Sequence, residues 1–369
     1  MKKFKTSLIS ESNRHIDDFI NLPSLLYDRK TLTQSRNEEK TLIDGTHPLS
    51  KYFTFTGFIT HDDREAVVAR CSVTIYDEDE TAYIGFFECI NDDDCAKATF
   101  NAVFEFLKEK KLKRIVGPVN ASFWIGYRLK DDHFNSEIYT AEPYNKDYYK
   151  DLFTKNGFSV SQRYTSNFLK VPHDNYDIYK KRFDQFTQNG YVIKSPGKND
   201  FDFTLSEIYS LLIDLYSDFP VFKYIKEDDF TAVFSPLKNV LNFKMVKIAY
   251  KDGKAVGFFI CFPNYKNLLH KKMNILNILK VLAKKTFSKE YILLYMGVSA
   301  DHLGLGAALN HSLIVELRKR KSLSITALML DGKITQSYGK DLIYDTYNYI
   351  LLTKELAKQN SWTMQNNSI

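Results

Sequence analysis

The chain is poor in the residues that mark disulfide-rich and metal-binding proteins. Its 369 residues include four cysteines, which show neither a Cys-x-x-Cys spacing nor paired histidines. This pattern argues against a disulfide framework and against a metal site, because both need closely spaced or numerous cysteines. We therefore expect no metal, a cytoplasmic location, and reduced, buried thiols at Cys71, Cys89, Cys95 and Cys261.

Long apolar segments are also missing. No uninterrupted apolar run approaches the roughly 20 residues that a membrane span needs, and the basic start Met1 to Thr6 is not followed by the apolar stretch of a secretory signal. The charge excess is small, since 51 basic and 45 acidic residues give a net charge of +6. This balance favours a solvated surface over a nucleic-acid groove, so we expect no membrane span and no nucleic-acid partner.

What the chain does have is enough length and apolar content, 44%, for two folded units. Each half shows the same order of predicted elements: helices, an antiparallel meander of strands, and then strand, turn, helix, strand. The boundary is predicted near Pro172 to Asp177, which gives domains 1–174 and 175–369. A further strand is predicted at Ser136 to Thr140, and a disordered polar tail from Gln359.

The most informative segment runs from Met296 to Leu309, where a β-prone stretch enters a glycine-bearing turn and then a helix. Glycine lets the backbone approach a ligand closely. The first-turn amides of the helix have no partner within it and lie at its positive end, which suits a pyrophosphate. The alternative is an ordinary tight turn that caps a core helix.

The same strand, turn and helix pattern occurs earlier in the chain without the glycines. Tyr83 to Val116 aligns with Tyr291 to Thr326 almost without gaps, and Cys95 and Lys97 fall opposite Gly304 and Gly306. If the glycines served packing alone, both copies should need them. We therefore predict that a phosphate-bearing ligand binds in the second half only.

This element order resembles the GNAT superfamily of acyl-CoA-dependent N-acyltransferases. The segments Gly85-Phe86-Phe87-Glu88-Cys89 and Gly117-Pro118-Val119-Asn120, followed by Pro143-Tyr144-Asn145, resemble the first half of bacterial tandem-GNAT proteins. In the superfamily the phosphate turn reads Gln/Arg-x-x-Gly-x-Gly/Ala. Gly304 and Gly306 match it, whereas Asp301 stands at the Gln/Arg position. Its carboxylate would either repel a pyrophosphate or face solvent or a neighbouring backbone amide.

The resemblance implies an α+β fold of two tandem GNAT-like domains, each a mixed central sheet flanked by helices. It also implies acetyl-CoA or another acyl-CoA as cosubstrate and a small-molecule or peptide amine as acceptor. A backbone N–H within Met296 to Val298 would stabilise the oxyanion, and Tyr338 would protonate the leaving thiolate. The alternatives are that Tyr338 is a packing residue and that Thr335 or Ser337 acts through water. The predicted cofactor-binding residues are Met296, Gly297, Val298, Leu303, Gly304, Leu305, Gly306 and Ala307.

The sequence alone leaves the general base, the acceptor site and the class of function open. No general base stands out, because Glu88, Glu142 and Asp331 all lie near strand ends, where carboxylates are commonly solvated or capping. The first-half segments around Trp124 and Tyr144 form either an acceptor pocket or a rigid loop. Besides an acyl-CoA-dependent enzyme, the sequence is compatible with a non-catalytic GNAT-fold binding protein or an aminoacyl-tRNA-dependent tandem-GNAT transferase. The oligomeric state is not indicated.

One segment has no counterpart in the first half. Lys271 to Lys289 carries apolar side chains at helical spacing with lysines between them. The simplest interpretation is an extra helix packed on the domain, and the alternatives are a lid, a partner helix or a membrane-surface contact.

Overall fold

The computed structural model describes residues 3–356. The first half begins with a short edge strand and two helices, and continues with a three-stranded meander, a long helix and shorter elements. Its elements are β1 Lys5–Leu8, α1 Asn13–Leu26, α2 Arg36–Ile43, β2 Phe53–His61, β3 Val67–Tyr76, β4 Thr81–Cys89, α3 Asp93–Lys108, β5 Arg114–Gly117, β6 Leu129–Lys130, α4 Tyr149–Lys155 and β7 Ser159–Leu169.

The second half repeats the order of edge strand, two helices, meander, long helix and strand, but it begins with an additional helix, inserts another between its third and fourth strands, and lacks counterparts of β6 and α4. Its elements are α5 Lys180–Gln188, β8 Tyr191–Lys194, α6 Phe201–Tyr216, α7 Glu227–Phe234, β9 Val246–Lys251, β10 Lys254–Pro263, α8 Ile275–Phe287, β11 Glu290–Val298, α9 Leu305–Arg320, β12 Leu323–Leu330 and β13 Ile343–Glu355. The predicted correspondence of the two long helices holds in this order, because α3 and α9 each connect the fourth and fifth strands of their half.

All strands form one mixed sheet in the order β1-β2-β3-β4-β5-β13-β7-β12-β11-β10-β9-β8, with β6 beside β13. In each half the meander is antiparallel and the fourth and fifth strands are parallel, as in β4 with β5 and in β11 with β12. The similar segments Gly85-Phe86-Phe87 and Gly257-Phe258-Phe259 lie on β4 and β10, which occupy different places in this order.

The two halves exchange their last strands. Strand β13, from the second half of the chain, pairs with β5 of the first half, and β7 of the first half pairs with β12 of the second. The two exchanged strands also pair with each other, from Ile343↔Leu169 to Thr353↔Ser159. The predicted boundary at Pro172 to Asp177 therefore coincides with no break in the sheet, and the division into domains 1–174 and 175–369 stays a prediction.

The side chains of β13 complete the first-half core. Ile350 and Leu352 are fully buried among Phe100, Phe153 and their neighbours on α3 and α4. All four cysteines are buried and free, as the sequence predicted. Within the described residues, no helix is long and apolar enough to cross a membrane, and no cluster of side chains is arranged to hold a metal ion.

The predicted strand at Ser136 to Thr140 is wrong, since this segment is a loop. Side chains hold it instead of a strand ladder: the Thr140 amide donates to Asn264 Oδ1 at 3.1 Å, and the Tyr139 hydroxyl lies 2.8 Å from Ser166 Oγ. The predicted tail from Gln359 falls outside the described residues.

The strand exchange predicts that a residue of the second half stabilises the first. Leu352→Ala should lower the free energy of unfolding by about 2–5 kcal/mol, because it empties a fully buried site. Amide hydrogen exchange at Ile115 and Val116 on β5 should become faster. Tyr344→Ala, at a half-exposed position of the same strand, is the control. Loss of protection in β11 and β12 alone would contradict the exchange.

Candidate active site

The candidate site begins where two parallel strands separate. Strands β11 and β12 pair from Glu290↔Leu323 to Leu293↔Thr326 and no further, although β11 continues to Val298 and β12 to Leu330. On its other side β11 stays paired with β10 up to Val298. The separation leaves a wedge-shaped opening between Leu294–Val298 and Ala327–Leu330, and both segments line one cavity.

A bulge in β12 widens this opening. The pairing of β12 with β7 shifts register between Thr326 and Met329, and Leu328 has a positive φ of 58°. The Leu328 amide donates to Ser166 Oγ at 2.9 Å, and its carbonyl accepts from Arg128 at 3.4 Å. These two contacts satisfy the backbone groups that the bulge removes from the ladder.

The predicted glycine turn follows β11 directly. A short 3-10 helix, Ala300–His302, leads to Gly304, whose φ of 91° places it in the left-handed region that favours glycine. Helix α9 starts at Leu305, so the amides of its first turn are directed out of its N-terminal end. The residues Met296, Gly297, Val298, Leu303, Gly304 and Gly306 all line the cavity, whereas Leu305 is buried beneath the turn.

Gly306 is where the turn, β11 and Tyr338 meet. A Cβ atom built on Gly306 would lie 2.6 Å from Met296 Cε and 2.9 Å from the Tyr338 hydroxyl oxygen, so no side chain fits there without a shift. The ring of Tyr338 packs edge-on against Tyr179 at 5.7 Å between centroids. Burial raises the pKa of Tyr338 above its usual value, so this phenol is protonated at neutral pH.

In the first half, the corresponding opening is filled by the chain itself. Strands β4 and β5 separate after three pairs, where β11 and β12 form four, but here the Phe86 amide donates to Asn120 Oδ1 at 2.8 Å and the Val119 amide to Ile84 O at 2.7 Å. A Cβ on Gly85 would lie only 1.9 Å from Val119 O. The segment Val119–Asn120 thus occupies the space that is open in the second half.

The N-terminus of α3 is closed as well. The side chain of Asp92 caps it by accepting from the Cys95 amide at 3.0 Å, and Asp93 and Asp94 follow in the first turn. Carboxylates at this end of a helix take the place of an anionic ligand and repel one. Asp301, which precedes α9, is exposed and is not among the residues that line the cavity.

A single cavity of about 950 Å³ connects the second-half opening with the first half. Its walls are largely aromatic and aliphatic. They include Trp124, Tyr144 and Asn145, for which the sequence left an acceptor pocket or a rigid loop open, and these residues line the same cavity as the glycine turn. Trp124 is fixed in this wall, since its Nε1 donates to Lys223 O at 2.7 Å.

Arg128 supplies a cation to this aromatic wall, a feature that sequence reasoning missed. Its guanidinium lies 3.8 Å from the centre of the Tyr127 ring and 4.3 Å from that of Tyr164. It donates to the Tyr127 hydroxyl at 2.6 Å and to Leu328 O. Nothing in the local sequence marks Arg128, because its place depends on a strand from the other half of the chain.

The three carboxylates considered as bases are all engaged in other contacts. Glu142 forms a fully buried ion pair with Lys130 Nζ at 2.5 Å and accepts from the Tyr349 hydroxyl at 2.8 Å. Asp331 is exposed and accepts from Gln336 Nε2 at 2.9 Å. Glu88 lines the first-half end of the cavity and accepts from the Tyr149 hydroxyl at 2.7 Å. The structure brings none of them to Gly306.

Comparison with known proteins identifies the fold. No family model and no curated protein matches the sequence. Among solved structures, the tandem GNAT protein from the clavulanic acid biosynthesis pathway matches 98% of this chain and 100% of its own, with a TM-score of 0.56 and 11% identity.

Two further structures agree. A GCN5-related glucosamine N-acetyltransferase region of a fungal multi-domain β-N-acetylglucosaminidase matches 96% of this chain and 38% of its own, with a TM-score of 0.55 and 14% identity. A probable N-acyltransferase from Enterococcus faecalis matches 96% of this chain and 73% of its own, with a TM-score of 0.50 and 9% identity. The predicted fold is confirmed: the chain has the GNAT fold in tandem.

The raised pKa of the Glu88 carboxyl should make the stability of the protein depend on pH. Burial raises its pKa to about 7, against the smaller opposing effect of Arg70. Because the folded protein holds this proton more tightly than the unfolded chain, stability should fall as the pH rises from about 4.5 to 7. The free energy of unfolding, measured by denaturation at pH 5 and at pH 8, should decrease between these two values. In Glu88→Gln this decrease should be smaller by about 1–3 kcal/mol. Glu105→Gln, at an exposed site, is the control. If the free energy of unfolding changed with pH equally in both variants, Glu88 would not be the source of the pH dependence.

Proposed function

We propose that this protein is an acyl-CoA-dependent N-acyltransferase whose cosubstrate binds in the second half. The observation that carries the proposal is the separation of β11 from β12 directly before an open, glycine-lined helix N-terminus. The tandem GNAT fold supports it, and the closed first-half counterpart favours the second half as the place of binding. The cosubstrate is acetyl-CoA or a longer acyl-CoA.

The turn at the start of α9 suits the pyrophosphate. First-turn amides and the helix dipole provide hydrogen bonds and positive potential for an anion. Gly304 adds no side chain at the turn, Gly306 leaves room for the side chains of Met296 and Tyr338, and Leu303, with 88% of its surface exposed, offers an apolar contact beside the turn. The carboxylate of Asp301 is turned to solvent and need not oppose binding.

The backbone of Met296 suits the developing oxyanion. The Tyr216 hydroxyl lies 3.3 Å from Met296 O and donates to it across the opening. In an extended strand, the N–H and the carbonyl of one residue point to the same side. We therefore expect the Met296 N–H to face the opening, where it would stabilise the tetrahedral intermediate formed when an amine attacks the thioester.

Tyr338 is the proposed general acid. Its hydroxyl lies beside Gly306 and Met296, at the place where the cosubstrate sulfur would leave. Its raised pKa keeps the proton available at neutral pH. The acceptor amine would approach from the aromatic part of the cavity that Tyr216, Tyr295 and Arg128 line, because the glycine turn occupies the other side.

The first test of this function is binding. Acetyl-CoA should stabilise the protein by RT ln(1 + [L]/Kd), about 2.7 kcal/mol at about a hundred times Kd, which a thermal-shift titration measures. Gly306→Glu should abolish the shift, because its side chain would collide with Met296 and Tyr338 and place a carboxylate beside the phosphates.

The matched control is Lys97→Glu, at the aligned and exposed position of α3. It should leave the acetyl-CoA shift unchanged. If both variants lost the shift equally, the second half would not be the specific site. If acetyl-CoA gave no shift in the unmodified protein, a non-catalytic or aminoacyl-tRNA-dependent function would be favoured.

The second test concerns the acid. With an amine that supports turnover, Tyr338→Phe should lower kcat by about 10²–10⁴-fold, because the ring packing against Tyr179 survives while the proton is lost. The Kd for acetyl-CoA should change little. Steady-state kinetics and titration on the same preparation separate the two effects, and an unchanged kcat would reject Tyr338 as the acid.

A further inference from the structure

Helix α8 lies on the protein surface with its apolar side outward. Ile275 is 76% exposed, Leu276 67% and Leu279 57%, and Ile278 and Leu282 are about half exposed. At 3.6 residues per turn, Ile275, Leu279 and Leu282 fall on one side of the helix. The extra helix expected at Lys271 to Lys289 is present, but its apolar stripe is exposed, whereas a helix packed on a domain normally buries such a stripe.

The opposite side of α8 holds the helix in place. Val281 is buried against Tyr265 and Leu268. Lys284 Nζ donates to Asn264 O at 2.9 Å, and Lys285 Nζ donates to Asn239 O at 3.0 Å. These ammonium groups donate hydrogen bonds to backbone carbonyls outside the helix. They hold α8 in the orientation that exposes its leucine and isoleucine side chains to solvent.

Positive charge surrounds the exposed stripe. No Asp or Glu occurs between Asp252 and Glu290, and four exposed lysines lie on or beside the helix: Lys271, Lys272, Lys280 and Lys289. Two acidic side chains near its base are already engaged, Glu137 with Lys266 and Glu290 with Asn264. The surface is therefore apolar at its centre and basic at its rim.

We propose that α8 docks this protein on an anionic lipid bilayer. An interfacial helix binds by burying an apolar stripe at the boundary of headgroups and acyl chains, while lysines at its edges contact anionic lipids. Charge complementarity selects this occupant. A second copy of the chain would bring two lysine rims together, which like-charge repulsion disfavours. The proposal is independent of the acyltransferase function, since none of these residues belongs to the proposed site.

Vesicle sedimentation tests the proposal with the full-length protein. It should bind vesicles that contain equal amounts of phosphatidylglycerol and phosphatidylcholine and bind phosphatidylcholine vesicles at least tenfold more weakly. Binding to the anionic vesicles should weaken in about 0.5 M salt, because exposed charges are screened there. Equal binding to both kinds of vesicle, or to neither, would overturn the proposal.

The variant Ile275→Gln/Leu279→Gln should lower the partition coefficient for anionic vesicles at least tenfold. Both side chains are exposed, so the fold should survive, which an unchanged melting temperature would verify. The matched control Ile178→Gln/Val192→Gln changes two exposed aliphatic residues elsewhere and should bind like the unmodified protein.

Two other results would also overturn the proposal. One is undiminished vesicle binding by the α8 variant. The other is a dimer in sedimentation velocity that the α8 variant alone abolishes, since the stripe would then be covered by a second copy of the chain.

Discussion

The separation of β11 from β12 is the constraint on which the proposed chemistry depends. After Leu293 and Thr326 the two strands no longer pair, so β11 presents free backbone to a cavity while β10 still holds its other side. The glycine turn, Tyr216 and Tyr338 all converge on this short unpaired stretch. A continuous ladder would leave no room for a thioester and no free amide to stabilise it.

Both halves have the same arrangement of strands and long helix, but the opening beside that helix is closed in the first half and open in the second. In the first half, Val119 and Asn120 fill the opening between the strands, and Asp92 caps the helix that follows. In the second half both places are open. The exchange of β7 and β13 makes the halves one sheet, and the first-half residues Trp124 and Arg128 line the cavity into which the second-half turn opens. The first half therefore shapes the site even though its own cradle is closed.

Local patterns predicted much of this structure, and non-local contacts account for what they missed. The glycine turn could be predicted because Gly304 has a left-handed φ and Gly306 has no room for a side chain, and both conditions favour glycine. The strand exchange could not be predicted, since the apolar periodicity of β13 predicts a strand but not the strands with which it pairs. Ser136 to Thr140 is β-prone but is held by side chains of distant residues. The amphipathic pattern predicted α8 correctly as a helix, yet its orientation depends on Lys284 and Lys285 binding distant carbonyls.

The most direct measurement of the central claim is a crystal structure with bound acetyl-CoA. Pyrophosphate oxygens should lie at hydrogen-bond distances of about 3 Å from the amides of Leu305 to Ala307. The thioester oxygen should lie close to the Met296 amide, and the sulfur close to the Tyr338 hydroxyl. Acetyl-CoA bound at the start of α3, or with its thioester outside the opening between β11 and β12, would contradict the proposed site.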